Sequence, residues 1–564
     1  MASSAACIGH AALASADETW KNGSNRPART TISFIVASIE ARLILFKGGV
    51  MALFGGDQPD HPMADLKQAK RLIAELPAND SLKALDETTF WLDSICRNEA
   101  FKVDSRYELF GLLDQAARIH QRKLSQEYLA TDRHEKFREN KLWTTIFEFW
   151  KTLGDAYSQC VRQFQAGADG SSSIRQDLPA IVARALRTLR MQLKWKLLRY
   201  GPVDDRVWEE IGRLYLFAET KGMATTTPEP VPGVPSPGSV QQEFLSALML
   251  GVSSTDGLTP LKQEIAERTV AHFGSLYVQQ AEPAPGCNFC FDLSMSKPPM
   301  RVMNGLAPGK MTRFFGAGGA QPALEQLIQE IKTKDSVPSH INLGGTYEAN
   351  LVRTVTQHLA RYWSNDPPAR NSQRRKIATR MTVVHGFRNT LRCITSDDDA
   401  NSLDFVAHDG SESWIVENVS DGGFGAIIPL TKGEDWISVG MLLGVQRETA
   451  PHWGAGVVRR IARDEYQQRR IGIELLSNTL IPVNLAPAGT VSSFNATREG
   501  DTAVLLSTAS DKKGEIALLL RGGGFTSGQM LEMSVRGKRY NIMPSKLVEG
   551  GDDFDWAIFK VVKQ

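Results

Sequence analysis

Apolar residues recur at helical spacing between Ala64 and Gly222, and this pattern predicts amphipathic helices. One such series starts at Leu142. Another begins near Asp177, a candidate N-cap, with Pro179 in its first turn. The second helix also carries a basic face, which we expect to be exposed to solvent. That face consists of Arg184, Arg187, Arg190 and Lys194.

Two of the predicted helical segments share the spacing Trp-x-x-aliphatic-Gly-x-x-Tyr, namely Trp150–Tyr157 and Trp208–Tyr215. This spacing weakly resembles the first helix of a tetratricopeptide repeat, in which a small Gly lets a second helix approach. The two copies do not follow the repeat period of about 34 residues. Chance aromatic packing on two core helices explains them equally well. We therefore expect a helical bundle or array over residues 51–223, a class that binds partners more often than it catalyses reactions.

The pattern changes on both sides of this helical region. Residues 1–50 are rich in small residues and are expected to be a disordered or non-native extension, with an amphipathic membrane anchor as the alternative. Residues 224–240 contain closely spaced prolines and predict an extended linker. Residues 241–364 mix helical and strand patterns, which predicts a mixed α/β domain. Residues 486–564 contain four short apolar runs and predict a small C-terminal β domain, either separate or packed on the preceding barrel.

A hairpin pattern marks the part in between, residues 365–480. Apolar runs at Trp414–Val416 and Phe424–Ile428 flank the sequence Asn-Val-Ser-Asp-Gly-Gly, from Asn418 to Gly423. The pattern predicts two strands joined by a tight turn. The two glycines can adopt positive φ at little cost, so the turn could present backbone N–H groups to an anion or a base edge.

Before this hairpin in the sequence, a run of basic residues precedes the apolar stretch Met381–Val384, and no acidic residue interrupts the run. Arg forms planar, bidentate hydrogen bonds with phosphate and with the guanine edge, and it stacks on bases. A solvated basic linker is the alternative interpretation. The run consists of Arg370, Arg374, Arg375, Lys376 and Arg380.

The turn and the basic run together resemble the two parts of the signature of PilZ domains, over about residues 371–477. The resemblance implies a six-stranded antiparallel β-barrel that binds cyclic di-GMP. The family's Arg-x-x-x-Arg spacing is altered here, because either Lys376 replaces the first Arg or one residue is inserted before Arg380. Two other pairs with the family's spacing, Arg370/Arg374 and Arg388/Arg392, rank below this stretch. The implied ligand-binding residues are Arg374, Arg375, Lys376, Arg380, Asn418, Ser420 and Gly423.

Composition narrows the class of protein. The chain of 564 residues is 42% hydrophobic, which is ample for several domains, and its formal net charge of +2 argues against a nucleic acid polymer as partner. Six scattered Cys fit a reducing compartment. The sequence has no uncharged apolar run of about 18 residues, so we expect no membrane span and a cytoplasmic location.

Other motifs carry little weight for catalysis. Cys287 and Cys290 form a CxxC pair without further ligands at zinc spacing. The segment Gly305–Thr312 is one residue short of a P-loop, and Gly316–Gln321 has Gln in place of the third Gly of a dinucleotide loop. We therefore expect neither an enzyme nor a metal or cofactor.

The sequence thus predicts a multidomain α+β protein with an N-terminal all-α helical region, a mixed α/β middle, a PilZ-like six-stranded antiparallel β-barrel and a small C-terminal β region. We expect a cyclic di-GMP effector that transmits the signal by domain rearrangement, through its helical region, to a protein partner. The alternative is a scaffold whose degenerate barrel no longer binds ligand.

Overall fold

The computed structural model describes most of the chain after residue 58. The predictions for residues 1–50, for Arg370 and for most of the proline-rich linker lie outside the described residues. The chain divides after Gln68, and the part from Ala69 onward forms one compact unit. The described residues are 59–132, 135–228, 238–303, 308–368, 373–396, 410–428, 437–448, 450, 452–466, 468–488, 501–507 and 514–562.

The N-terminal region is all-α, as predicted. Both tetratricopeptide-like segments lie within helices: Gly154 packs against Thr188 and Gln192 of the next helix, whereas Gly212 packs against the backbone of Leu293 in the mixed region. Only the first copy therefore resembles helix-on-helix packing of a repeat. The helices are α1 (Leu66–Ala74), α2 (Ser81–Arg97), α3 (Val103–Ala130), α4 (Lys136–Gln165), α5 (Leu178–Leu197) and α6 (Asp205–Thr220).

Helix α5 is the central helix of this region and is buried on most of its surface. Asp177 is its N-cap residue and Pro179 lies in its first turn, as predicted, although the Asp177 side chain makes no capping hydrogen bond among the described residues. The predicted solvent-exposed basic face is wrong for Arg190 and Lys194, which are 4% and 2% exposed. Both side chains form ion pairs inside the protein.

Carboxylates from two later helices neutralise these buried cations. Arg190 pairs with Glu243 at 3.2 Å and with Glu267, while Lys194 pairs with Glu264 at 2.5 Å and with Glu267 at 3.2 Å. The helices that supply the carboxylates are α7 (Val240–Gly251) and α8 (Pro260–His272). Since both follow the proline-rich linker, helical packing continues across it.

A small antiparallel sheet and two helices complete the mixed region. The sheet has the strand order β1-β4-β2-β3, and helices α9 (Ala320–Lys334) and α10 (Ala349–Trp363) pack on each other after it. The strands are β1 (Val278–Gln280), β2 (Phe289–Asp292), β3 (Met300–Arg301) and β4 (Thr312–Gly316).

The predicted six-stranded antiparallel barrel is present and closed, with the order β5-β6-β7-β10-β9-β8. Its core contains Trp414, Phe424 and Ile473 among other apolar side chains. The strands are β5 (Arg375–His385), β6 (Glu412–Ser420), β7 (Gly423–Ile428), β8 (Leu442–Arg447), β9 (Gly454–Arg463) and β10 (Arg469–Ser477).

The C-terminal β region is a second closed six-stranded barrel, with the order β11-β12-β13-β16-β15-β14. Helix α11 (Gly386–Ser396) follows β5, and its Phe387 packs with Trp453 of the first barrel and Phe554 of the second in one apolar cluster. The strands are β11 (Leu480–Pro487), β12 (Asp501–Leu506), β13 (Glu515–Arg521), β14 (Leu531–Val535), β15 (Lys538–Gly550) and β16 (Phe554–Val562).

Candidate functional site

The basic segment forms the start of β5 and is exposed to solvent. Arg374 directly precedes the strand, and Arg375 and Lys376 are its first two residues. The pairing of β5 with β6 shifts register between Lys376 and Thr379, which is a β-bulge. Arg380 lies beyond this bulge. All four basic residues are exposed, unlike the buried Arg190 and Lys194, but only the first three lie at the start of the strand.

The predicted turn joins β6 to β7 as a two-residue hairpin, with Ser420 paired to Gly423. The Ser420 hydroxyl donates to the Gly423 carbonyl at 3.1 Å. Gly423 is buried, and a Cβ atom there would lie 2.0 Å from the carbonyl oxygen of Ile473. A glycine is favoured at this position on two grounds, because β10 approaches so closely and because Gly423 has the positive φ that we expected, +157°.

Lys376 and Asn418 are direct partners across β5 and β6, so the two halves of the predicted site meet. Simple alternation from Trp414 and Val416 would point Asn418 into the barrel core. A register shift between Val416 and Asn418 turns it to the outer face, where it pairs with Gly425. The bulge therefore brings Asn418 to the same exposed face as Lys376.

The Asn418 amide lies over Gly425, where a Cβ atom would come within 2.7 Å of its nitrogen. Its oxygen, Oδ1, is buried and has no hydrogen-bond partner among the residues that the structure describes. A buried acceptor without a partner costs free energy, which a ligand N–H donor could recover. Asn418 therefore has an unused hydrogen-bonding position next to a basic side chain.

The other predicted residues lie on either side of this pair along β5 and β6. Arg375 is paired with Val419, one position along β6, and Ser420 follows. Arg380 is paired with Ile415, which is 46% exposed and lies on the same outer face further along the strand. The alternative residue Arg388 lies in α11 and lines a cavity of the second barrel instead.

The remaining motifs serve the packing of the mixed region. Cys287 and Cys290 are free and buried beside Phe314, and burial raises the pKa of both thiols. A Cβ atom on Gly316, the last residue of β4, would collide with the Gly286 carbonyl, and one on Gly318, in the loop that follows, with the Leu276 carbonyl. Within the described ranges, no group of three or more His, Cys, Asp or Glu residues could hold a metal ion.

Comparison with known families bears on the helical region. Residues 67–281 match the family described as the N-terminal domain of the cyclic-di-GMP receptor FimW. The match runs from α1 to the end of β1, so it spans the proline-rich linker and stops before both barrels. The N-terminal part of this chain is thus similar to a domain of a cyclic-di-GMP receptor. A search of curated proteins gives no match.

None of the helices among residues that the structure describes combines the length and apolar character needed to cross a membrane.

Proposed function

We propose that this protein is a cyclic di-GMP-binding effector. The ligand binds the outer face of the first barrel, where the start of β5 lies beside the end of β6. The observation that carries the proposal is the direct pairing of Lys376 with Asn418. These residues belong to two motifs that are far apart in the sequence, and the fold places them side by side on an exposed surface.

The family match supports the proposal independently. It covers residues 67–281, whereas the PilZ-like signature lies at 374–423. The two ranges share no residue, and each points to the same ligand by a different route. The barrel with its basic strand end resembles PilZ domains, and the helical region is similar to the N-terminal domain of a named cyclic-di-GMP receptor.

The site residues would contact different chemical groups of the ligand. Arg374 and Arg375 supply guanidinium groups for a phosphate or a guanine edge, and Lys376 supplies a further positive charge. The free oxygen of Asn418 accepts a hydrogen bond from a guanine N–H group. Arg380 extends the positive surface. Ser420 and Gly423 act indirectly, because they fix the hairpin against β10.

A rearrangement of domains would carry the signal onward, because the first barrel directly contacts the helical region. The Arg463 amide at the end of β9 donates to the carbonyl of Tyr200 at 2.7 Å. The Tyr200 side chain packs against the barrel core, and its hydroxyl donates to the Leu258 carbonyl at 2.8 Å. Through this contact, a change in the barrel would reach the helices that present a surface to a protein partner.

The alternative function is a scaffold that does not bind the ligand. The specific observation in its favour is that a Lys, and not an Arg, stands opposite Asn418. An ammonium group cannot reproduce the bidentate and stacking contacts of a guanidinium group. In this case the helical region alone would bind the partner, and the barrel would serve as an interaction module.

Calorimetric titration of cyclic di-GMP into the full chain separates the two functions. The effector predicts micromolar or tighter binding that Arg375→Ala and Asn418→Ala weaken by about ten-fold or more. The control is Asn541→Ala, a half-buried Asn on β15 of the second barrel, which should leave the affinity unchanged. If the folded wild-type protein shows no binding, the effector function is contradicted and the scaffold function remains.

A further inference from the structure

The Lys376–Asn418 pair is one end of a row of residues that crosses the outer face of the first barrel. Asn418 is paired with Gly425 on β7, Gly425 with Gly472 on β10, and Gly472 with Arg460 on β9. The neighbours of the two glycines, Phe424, Ala426, Ile471 and Ile473, all lie in the barrel core. By alternation the glycines therefore face outward, as Arg460 does.

The row has a positive charge at each end and little side-chain bulk in the middle. Strands lie about 4.8 Å apart, so three spacings put roughly 14 Å of barrel surface between the backbones of Asn418 and Arg460. The Asn418 amide leans over Gly425, and the Arg460 side chain stands beside Gly472. Gly425 is buried under the Asn418 amide and Gly472 is half-buried. Neither glycine places a side chain between Asn418 and Arg460, so a flat or compact ligand can bridge them.

Arg460 is held by the region that precedes the barrel. Its guanidinium group donates to the Tyr362 hydroxyl at 2.9 Å and lies 3.8 Å from the Asp256 carboxylate. Tyr362 is close to the end of α10, where Arg301 donates to its carbonyl oxygen at 2.6 Å. The Arg460 side chain is still 48% exposed, so a ligand can reach it.

We propose that Arg460 is a further ligand-binding residue and that binding moves it from Tyr362 and Asp256 to a phosphate of the ligand. This inference rests on the proposed function, since it assigns the second end of the same site. Cyclic di-GMP carries two phosphates and two guanines, so a site with cationic groups at both ends matches its repeated halves. A charge-assisted bond to phosphate is stronger than the bond to the neutral Tyr362 hydroxyl, and the exposed Asp256 carboxylate, at 3.8 Å, lies beyond hydrogen-bonding distance of Arg460.

The exchange of partners would couple ligand binding to the position of the region that precedes the barrel. While Arg460 is bound to Tyr362 and Asp256, it links β9 to α10 and to the turn at Thr255–Gly257. A ligand that binds Arg460 breaks this link. The free energy needed to break the existing contacts makes the observed free energy of ligand binding less favourable. Removing the Tyr362 hydroxyl should therefore tighten ligand binding, which is the opposite of the effect of removing a binding residue.

The test is calorimetric titration of cyclic di-GMP into the full chain and three variants. Arg460→Ala should weaken binding by about ten- to a hundred-fold, and Tyr362→Phe should tighten it by about two- to ten-fold. In the double variant, Tyr362→Phe should have no further effect, because Arg460 is absent. Arg539→Ala is the matched control, since Arg539 is exposed and paired with Glu532 on the second barrel.

The outcomes separate this inference from the function on which it rests. If wild-type protein binds and Arg460→Ala binds equally well, Arg460 is not a ligand residue and the proposed function stands. If Tyr362→Phe weakens binding, Arg460 keeps its partner in the complex and the exchange is wrong. If folded wild-type protein does not bind at all, both proposals fail. Circular dichroism of each variant verifies that the barrels are intact.

Discussion

Lys376 and Asn418 are direct cross-strand partners, although 42 positions separate them in the sequence. Two bulges create this relationship, one after Lys376 in β5 and one before Asn418 in β6. Both bulges lie near the polar turn, one in β6 of the hairpin itself and one in the neighbouring strand β5. Bulges next to functional sites often re-aim a side chain, and here one turns Asn418 to the outer face of the barrel, over Gly425.

Lys376 is the position at which the type of cation should matter most. Lys376→Ala should weaken cyclic di-GMP binding by about ten-fold or more, because a charged contact is lost. Lys376→Arg should bind at least as tightly as wild type, since guanidinium adds bidentate and stacking contacts. Calorimetric titration measures both. Equal affinity of wild type and Lys376→Ala would remove this residue from the site.

Gly423 and Gly422 provide a matched pair for testing the hairpin. An added Cβ atom at Gly423 meets the Ile473 backbone, whereas none of the described atoms lies within 4 Å of one at Gly422. Gly423→Ala should lower the free energy of unfolding by about 1–3 kcal/mol or more, and Gly422→Ala should change it by less than about 0.5 kcal/mol. Urea denaturation gives both values. Similar stabilities for the two variants would contradict the assigned packing role.

Glu267 should stabilise the helical region through the buried ion network. Replacing it with Gln leaves Arg190 and Lys194 with one carboxylate fewer in a buried site. Glu267→Gln should therefore cost about 3–5 kcal/mol of unfolding free energy. Glu532→Gln, which removes an exposed partner of Arg539, should cost about 0–1 kcal/mol. Denaturant unfolding that shows equal costs for the two variants would contradict a stabilising network.

The same carboxylate makes stability depend on pH. Burial alone would raise the pKa of Glu267, but Lys194 and Arg190 lower it from 4.5 to about 2. Its stabilisation is therefore complete above the ordinary pKa and is lost as the pH falls towards the folded value. Unfolding experiments between neutral pH and about pH 3 should show a smaller loss of stability for Glu267→Gln than for wild type. Parallel pH profiles would contradict the lowered pKa.

Tyr200 should hold the first barrel against the helical region. Tyr200→Phe removes the hydroxyl that donates to Leu258, and this should cost about 0.5–1.5 kcal/mol. The Leu258 carbonyl also accepts from Gln263, so it stays hydrogen-bonded in the variant. Amide exchange at Arg463, whose N–H bonds to the Tyr200 carbonyl, should become faster.

The exposed Tyr540 on the second barrel supplies the control for this experiment. Tyr540→Phe should leave exchange at Arg463 unchanged. If Tyr200→Phe also leaves it unchanged, the hydroxyl bond does not hold the junction.

Local patterns in the sequence predicted strands of the first barrel, whereas its closure into a six-stranded barrel was implied by the resemblance to PilZ domains. Its core strands alternate or run apolar over short segments, and the polar turn between Val416 and Phe424 marks the hairpin. The helical spacing after Leu142 likewise predicted α4. These elements depend on neighbouring residues, so the sequence pattern contains the necessary information.

Long-range pairing produced the features that the patterns missed. The sequence pattern assigned Arg190 to a solvated face because its partner Glu267 is 77 positions away. Closure of the second barrel depends on the pairing of β11 with β14, which are separate in the sequence. Arg460 and Gly472 have no local signal that links them to Asn418, because only the closed barrel brings the three strands together.

Amide hydrogen exchange on the full chain, with and without saturating cyclic di-GMP, tests the central claim most directly, because it locates the bound ligand. The account predicts slower exchange in β5 near Arg375–Arg380 and in the hairpin from Asn418 to Gly425, with the second barrel unchanged. Exchange that is unaffected throughout β5, β6 and β7, while another region becomes protected, would contradict a ligand site on the first barrel.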